Sequence, residues 1–165
     1  MMRDYGFDFY YYDKYAKNQY ARGFEADVNK KYVLITAFEN FEHFVNPLKE
    51  IENIMKLTDV LHFSTCLISS NPPLVKDWWY YAPVAGQHIS FYSLETLNLI
   101  AKKFECQLIS DGYNFHILSK IPIQKDYFKQ LEQFEKKRYK YDITNKLKKE
   151  SKIGKDFEMI LLKKL

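Results

Sequence analysis

Two carboxylates and an imidazole, Glu39, Glu42 and His43, follow directly on the apolar run Tyr32-Val33-Leu34-Ile35-Thr36-Ala37-Phe38. Acidic and imidazole groups at the carboxyl end of a buried strand stand where open α/β sheets bind ligands. A carboxylate beside an imidazole fixes its tautomer and raises its basicity, so general-base chemistry is one reading. Metal binding is a second reading. The segment Glu39-Asn40-Phe41-Glu42-His43 lacks the first His of the His-x-x-Glu-His zinc signature and follows a strand instead of lying within a helix, so no metal is expected. The third reading is structural: the carboxylates accept backbone N–H groups and position the next helix.

A second group lies downstream. Gln87 and His88 sit among Trp78, Trp79, Tyr80, Tyr81, Phe91 and Tyr92. Aromatic rings with one imidazole suit the wall of a small-molecule pocket, and a base at His88 could take a proton from a hydroxyl. The alternative is plain packing of a loop over a sheet. Asp13 closes the aromatic run Phe9-Tyr10-Tyr11-Tyr12. A carboxylate there either accepts both hydroxyls of a ribose or caps a turn. His62 and His116 fall inside expected strands and read as satisfied structural residues. Cys66 and Cys106 are far apart, without metal-type spacing, and read as packing residues in a reducing cytosol.

These residues need a scaffold, and the patterning supplies one. Strands are expected over Phe7–Tyr12, Tyr32–Thr36 and Asp59–Thr65, the second as a strand buried on both faces. Pro47 to Leu57 reads as a helix, with Leu48, Ile51, Ile54 and Met55 on one side and Pro47 in its first turn. Ser93 is an N-cap for a helix through Phe104. Gln107–Ser110 and Phe115–Ser119 flank Asp111-Gly112, a hairpin signal. Leu67 to Gln87, with Asn71-Pro72-Pro73 and Gly86, is a long structured loop. Gln124 to Lys149 carries a helical stripe of aromatic and aliphatic residues, and Asp156–Leu162 is a short strand or helical turn. Strands alternating with helices indicate an α/β fold, made mixed by the last hairpin.

Composition agrees with one domain and a real core. The chain has 165 residues, 47% hydrophobic and 18% aromatic, with 14 Tyr and 13 Phe but only 5 Gly. Scarce glycine argues against several close backbone–phosphate contacts. No apolar run is long enough to span a membrane, and no signal peptide opens the chain, so a cytoplasmic protein is expected. Net charge is +4 but uneven. Residues 120–165 hold 14 Lys and Arg against 7 Asp and Glu, leaving 11 against 14 before them. The run Lys136-Lys137-Arg138-Tyr139-Lys140-Tyr141 reads as a solvated helix face, so nucleic acid is not an expected partner.

Several of these segments, in this order, resemble the class I S-adenosylmethionine-dependent methyltransferases, with closest likeness to a bacterial branch that modifies small molecules and sugars. The segments are Asp13 after its aromatic strand, Phe38-Glu39-Asn40-Phe41-Glu42-His43, Trp78-Trp79-Tyr80, Gln87-His88-Ile89-Ser90-Phe91-Tyr92 and the final strand–turn–strand. The likeness covers about residues 6 to 120. It implies a Rossmann-like sheet of strand order 3-2-1-4-5-7-6, with Asp13 ending strand 2 and the Glu39–His43 segment following strand 4. The family also places a glycine-rich turn after strand 1, and nothing before Gly6 supplies one. The chain is therefore expected to be the back two-thirds of the fold, with Phe7–Tyr12 collapsing onto Tyr32–Thr36 or pairing with another chain.

The resemblance implies methyl transfer from S-adenosylmethionine to a small-molecule acceptor such as a sugar. It assigns Glu42, His43 and His88 to catalysis or acceptor orientation and Asp13, Phe38 and Glu39 to the cofactor. It assigns Trp79, Tyr80, Gln87 and Phe91 to the acceptor. The expected organisation is a partial methyltransferase domain over 1–120 and a charged helical extension over 121–165. A second copy or a complementing N-terminal fragment is the expected macromolecular partner. The competing reading is a non-catalytic remnant or interaction module of the same fold.

Overall fold

The structure is a computed structural model that describes residues 2–138 and 150–162. The chain forms two units, Asn29–Gln133 and Met1–Val28 with Phe134–Leu165.

The first unit is built on four strands: β1 (Ile35–Ala37), β2 (Val60–Ser64), β3 (Gln107–Ser110) and β4 (Phe115–Ser119). Their spatial order is β1-β2-β4-β3. β1 and β2 are parallel, and β4 lies antiparallel between β2 and β3. This is a mixed α/β sheet compatible with a Rossmann-like methyltransferase fold, and its order is the 4-5-7-6 that the resemblance implies for the last four strands.

Alternation along β2 sorts its two faces. Leu61 and Phe63 are fully buried and, with Leu118 of β4, belong to the main core, while His62 points the other way. Two helices complete that core: α1 (Pro47–Met55) and α2 (Leu94–Lys103). Asn46 caps α1 by accepting from the Lys49 N–H, and Pro47 occupies its first turn. Ser93 caps α2 by accepting from the Thr96 N–H. Ile51 and Met55 of α1 and Leu97, Ile100 and Ala101 of α2 fill the core, each large aliphatic contributing about 1.5–3 kcal/mol of burial. On the opposite face, the half-buried His62 ring meets Phe38, Phe115 and Phe128, the last from α3 (Tyr127–Arg138).

Two expectations are corrected. The strand expected over Tyr32–Thr36 is shorter and shifted, with Val33 95% and Leu34 45% exposed. A run of β-formers is compatible with a strand, but pairing with β2 decides which residues join the ladder. β1 is an edge strand among the described residues, and the exposure of Val33 and Leu34 shows that the run is not covered on both faces. Phe7–Tyr12 is not a strand either. Only Tyr11 makes a bridge, to Glu25, because this segment curls within its own unit.

In that second unit the terminal helix α4 (Ile153–Leu162) settles the open choice at Asp156–Leu162. Arg3 binds the Asp156 carboxylate with two nitrogens and lies over the buried Phe24 ring at 3.8 Å. Gly23, at φ +88, makes the turn that brings Phe24 into place. The helical continuation expected to Lys149 and the side chains of the Lys136–Tyr141 run lie outside the described residues.

Candidate functional site

The carboxyl ends of β1 and β2 lie side by side, and the chain turns sharply beyond each. After Phe38, Glu39 adopts a left-handed conformation, φ 52. Its N–H donates to Ser64 Oγ at 2.8 Å, and the Ser64 hydroxyl donates to Glu39 Oε1 at 2.6 Å. The reversal leads into a 3-10 turn, Phe41–His43. Phe41 anchors that turn: its fully buried ring stacks on Phe63 with centroids 3.9 Å apart. The Tyr92 hydroxyl donates to the Phe41 carbonyl at 2.9 Å. With Phe41 fixed, its neighbour Glu42 faces inward and His43 reaches the surface.

Chain from the far side of the loop is tied onto this turn. The Ile89 and Ser90 N–H groups donate to the Glu42 carbonyl at 2.8 and 3.0 Å, and the Ser90 hydroxyl donates to the Phe44 carbonyl at 2.7 Å. His88 is thereby set against His43, with ring centroids 5.0 Å apart and planes at 79°. His43 Nδ1 donates to the Gln87 carbonyl at 2.9 Å, and His88 Nδ1 donates to the Tyr80 carbonyl at 2.6 Å.

Glu42 is the unusual member. Its side chain is 0% exposed, and neither carboxylate oxygen has a hydrogen-bond partner. Burial, seconded by the charge of Glu39, raises its pKa. Its own backbone N–H and the Tyr80 hydroxyl lie close enough to weaken that shift without closing a hydrogen bond to it. Tyr80 is fully buried, and its hydroxyl is 3.3 Å from Thr65 Oγ1. Burial pushes the Tyr80 phenol far up and Tyr92 up to about 12, so both remain neutral. Cys66 is raised by burial and by the charges of Glu39 and Glu42, which keeps it a thiol.

The structure therefore brings Glu42, His43 and His88 together, with Gln87 and Tyr80 supplying the carbonyls that orient the rings. Glu39 lies beside them, and Phe38, 44% exposed, borders the same strand end. Trp79 is 72% exposed, and Phe91 packs among Trp78, Tyr80 and Tyr81. Phe91 also lines a depression of about 440 Å³ with Ser90, Tyr92, Pro47 and Ile100. Asp13 lies in the other unit, where its Oδ1 accepts the Tyr15 and Ala16 N–H groups, which lowers its pKa.

The methyltransferase-domain family matches residues 1–111, more than half of the chain. The chain belongs to that family. No curated protein matches it. Among the described residues no helix of this methyltransferase domain is long and apolar enough to cross a membrane.

Sequence reasoning passed over Ser64 and Thr65. The signal was available for Ser64, a polar residue at the carboxyl end of a strand. Of the chain's other histidines, His116 is fully buried and satisfied on both nitrogens, by Ser110 Oγ and the Thr65 carbonyl. His62 keeps Nε2 buried without a hydrogen-bond partner.

Proposed function

We propose that this domain serves S-adenosylmethionine-dependent methyl transfer to a hydroxyl of a small molecule, with sugars as the favoured acceptor class. The carrying observation is the convergence of Glu42, His43 and His88 at the carboxyl end of β1. The residues there fit a sulfonium donor: Phe38 offers an exposed ring, and Glu39 and the unpartnered Glu42 offer carboxylates. Cations are favoured by both groups. When bound, the donor supplies an electrophilic methyl group.

The chain's own part is positioning and proton handling. Both imidazoles carry their proton on Nδ1, because each Nδ1 faces a carbonyl that only accepts. Each Nε2 is therefore free to accept the proton of an acceptor hydroxyl. The stitching of Glu42 to Ile89 and Ser90 holds the two halves of the site in register, and such positioning lowers a barrier by removing the entropy of bringing the reactants together. Trp79, Gln87 and Phe91 would contact the acceptor, with Tyr80 as buried support.

Calorimetry of the full chain with S-adenosylmethionine, and label transfer from it to a panel of sugars, test this reading. Binding, with transfer lowered about 10²–10⁴-fold in His88→Ala, supports it. Binding regained only with a complementing N-terminal segment also supports it. Absence of binding in both settings would leave the interaction-module reading.

A further inference from the structure

Glu42, His43 and His88 each offer a ligand atom, and the three atoms lie within 4.8 Å of one another. All three residues belong to one unit of the chain. Glu42 Oε1 is 3.9 Å from His43 Nε2. In a tetrahedral site with bonds of about 2.0–2.1 Å, ligand atoms stand roughly 3.4 Å apart. Small side-chain adjustments close the difference.

Two further observations point to a cation. First, each imidazole spends Nδ1 on a backbone carbonyl, Gln87 for His43 and Tyr80 for His88. The lone pair is then on Nε2, and the ring is oriented from behind, as metal-ligating histidines are. Second, the Glu42 carboxylate is wholly buried beside these rings with both oxygens unpartnered. A buried polar group left unpaired costs about 1–3 kcal/mol, and a charged one more. The Tyr80 hydroxyl, 3.3 Å from Thr65 Oγ1, closes no hydrogen bond to it.

We propose that Glu42, His43 and His88 form a divalent transition-metal site, with two imidazole nitrogens and one carboxylate as ligands. This donor set suits Zn²⁺ or Co²⁺ rather than Mg²⁺ or Ca²⁺, which prefer oxygen alone. Three protein ligands leave open positions, and His43, 38% exposed, puts them within reach of solvent. An oxygen ligand, either water or an acceptor hydroxyl, would fill them; with both Nε2 atoms on the metal, the metal would lower the pKa of that hydroxyl and its proton would pass to solvent instead of to an imidazole. The binding of metal stands on this geometry alone; only the role of the bound hydroxyl rests on the methyl-transfer reading. The missing first His of the zinc signature is replaced in space by His88, which the loop delivers.

The test is titration of the chelator-treated full chain with Co²⁺, followed by visible absorption and metal analysis. One Co²⁺ per chain is expected, with the intense d–d bands of a low-symmetry site that Zn²⁺ abolishes. Glu42→Gln and His88→Ala should weaken binding at least tenfold, with far-UV circular dichroism unchanged. Zn²⁺-dependent shifts of the His43 and His88 imidazole resonances in the unmutated chain provide a second readout that no variant's folding can confuse. A flat titration, or equal binding by both variants, overturns the site. Methyl transfer that persists with metal removed and no Co²⁺ bound ends the metal proposal and leaves the transfer reading. Metal binding without methyl transfer does the reverse.

Discussion

Ser64 and Glu39 hold each other across the carboxyl ends of neighbouring parallel strands, each donating one hydrogen bond to the other. The pair fixes Glu39 in a left-handed conformation that costs a non-glycine residue about 1–2 kcal/mol. Ser64→Ala removes both bonds at a nearly closed site. A loss of about 2 kcal/mol is expected in urea denaturation. A loss below about 0.5 kcal/mol would show that water replaces the hydroxyl.

At the proposed metal site, Glu42 would trade stability for binding. Its buried, unpartnered carboxylate destabilises the metal-free chain. Glu42→Met keeps the volume and removes the polar group, so in chelator it should gain about 1 kcal/mol. The same variant should lose Co²⁺ binding. Thermal melts with and without metal check both halves: metal should raise the midpoint of the parent and leave the variant's unchanged.

His116 should make stability fall in mild acid. Burial lowers its pKa, against weaker opposing effects of the Thr65 carbonyl and Asp111. The neighbouring His62 is lowered by burial, and a proton on His116 would lower it further. Both rings therefore fold neutral. Unfolded chains take up the protons first, so stability is full above about pH 6.5 and declines as pH falls toward the depressed folded values. His116→Asn should flatten the slope of denaturation free energy between pH 7 and 5 (a window set by the reference pKa). Glu42 acts oppositely at lower pH, because its raised pKa makes the folded state the better proton acceptor. An unchanged slope in His116→Asn would assign the acid sensitivity elsewhere.

Arg3 and Asp156 join the chain's first turn to α4. The Arg3 guanidinium lowers the Asp156 pKa, so the pair is present above the ordinary aspartate value near 3.8 and is lost as pH falls through the depressed one. Asp156→Asn should expose the segment around Phe24 to protease, with cleavage rising several-fold at neutral pH. Cleavage confined to sites after Asn29 would contradict this.

The elements that carry local signals were legible. Ser93 announced α2, Pro47 announced α1, and Asp111-Gly112 announced the β3–β4 hairpin with both of its strand boundaries. The residues Glu42, His43 and His88 could be named from type and place. What could not be read was the burial of Tyr32–Thr36, because an unbroken β-former run gives no face. Nor did Phe7–Tyr12 reveal that it would form a single β-bridge, from Tyr11 to Glu25, instead of a ladder.

The sequence by itself determined the α/β class, the Ser93 cap of α2, Pro47 in the first turn of α1, the hairpin and the presence of acid and imidazole groups at a strand end. These follow from interactions a few residues long. Only the tertiary structure decided that His88 stands against His43 and that Glu42 is sealed from water. Those facts depend on backbone bonds from Ile89 and Ser90 to Glu42, between segments far apart in the chain. Periodicity records which side of an element is apolar; it does not record which distant segment will close over a carboxylate.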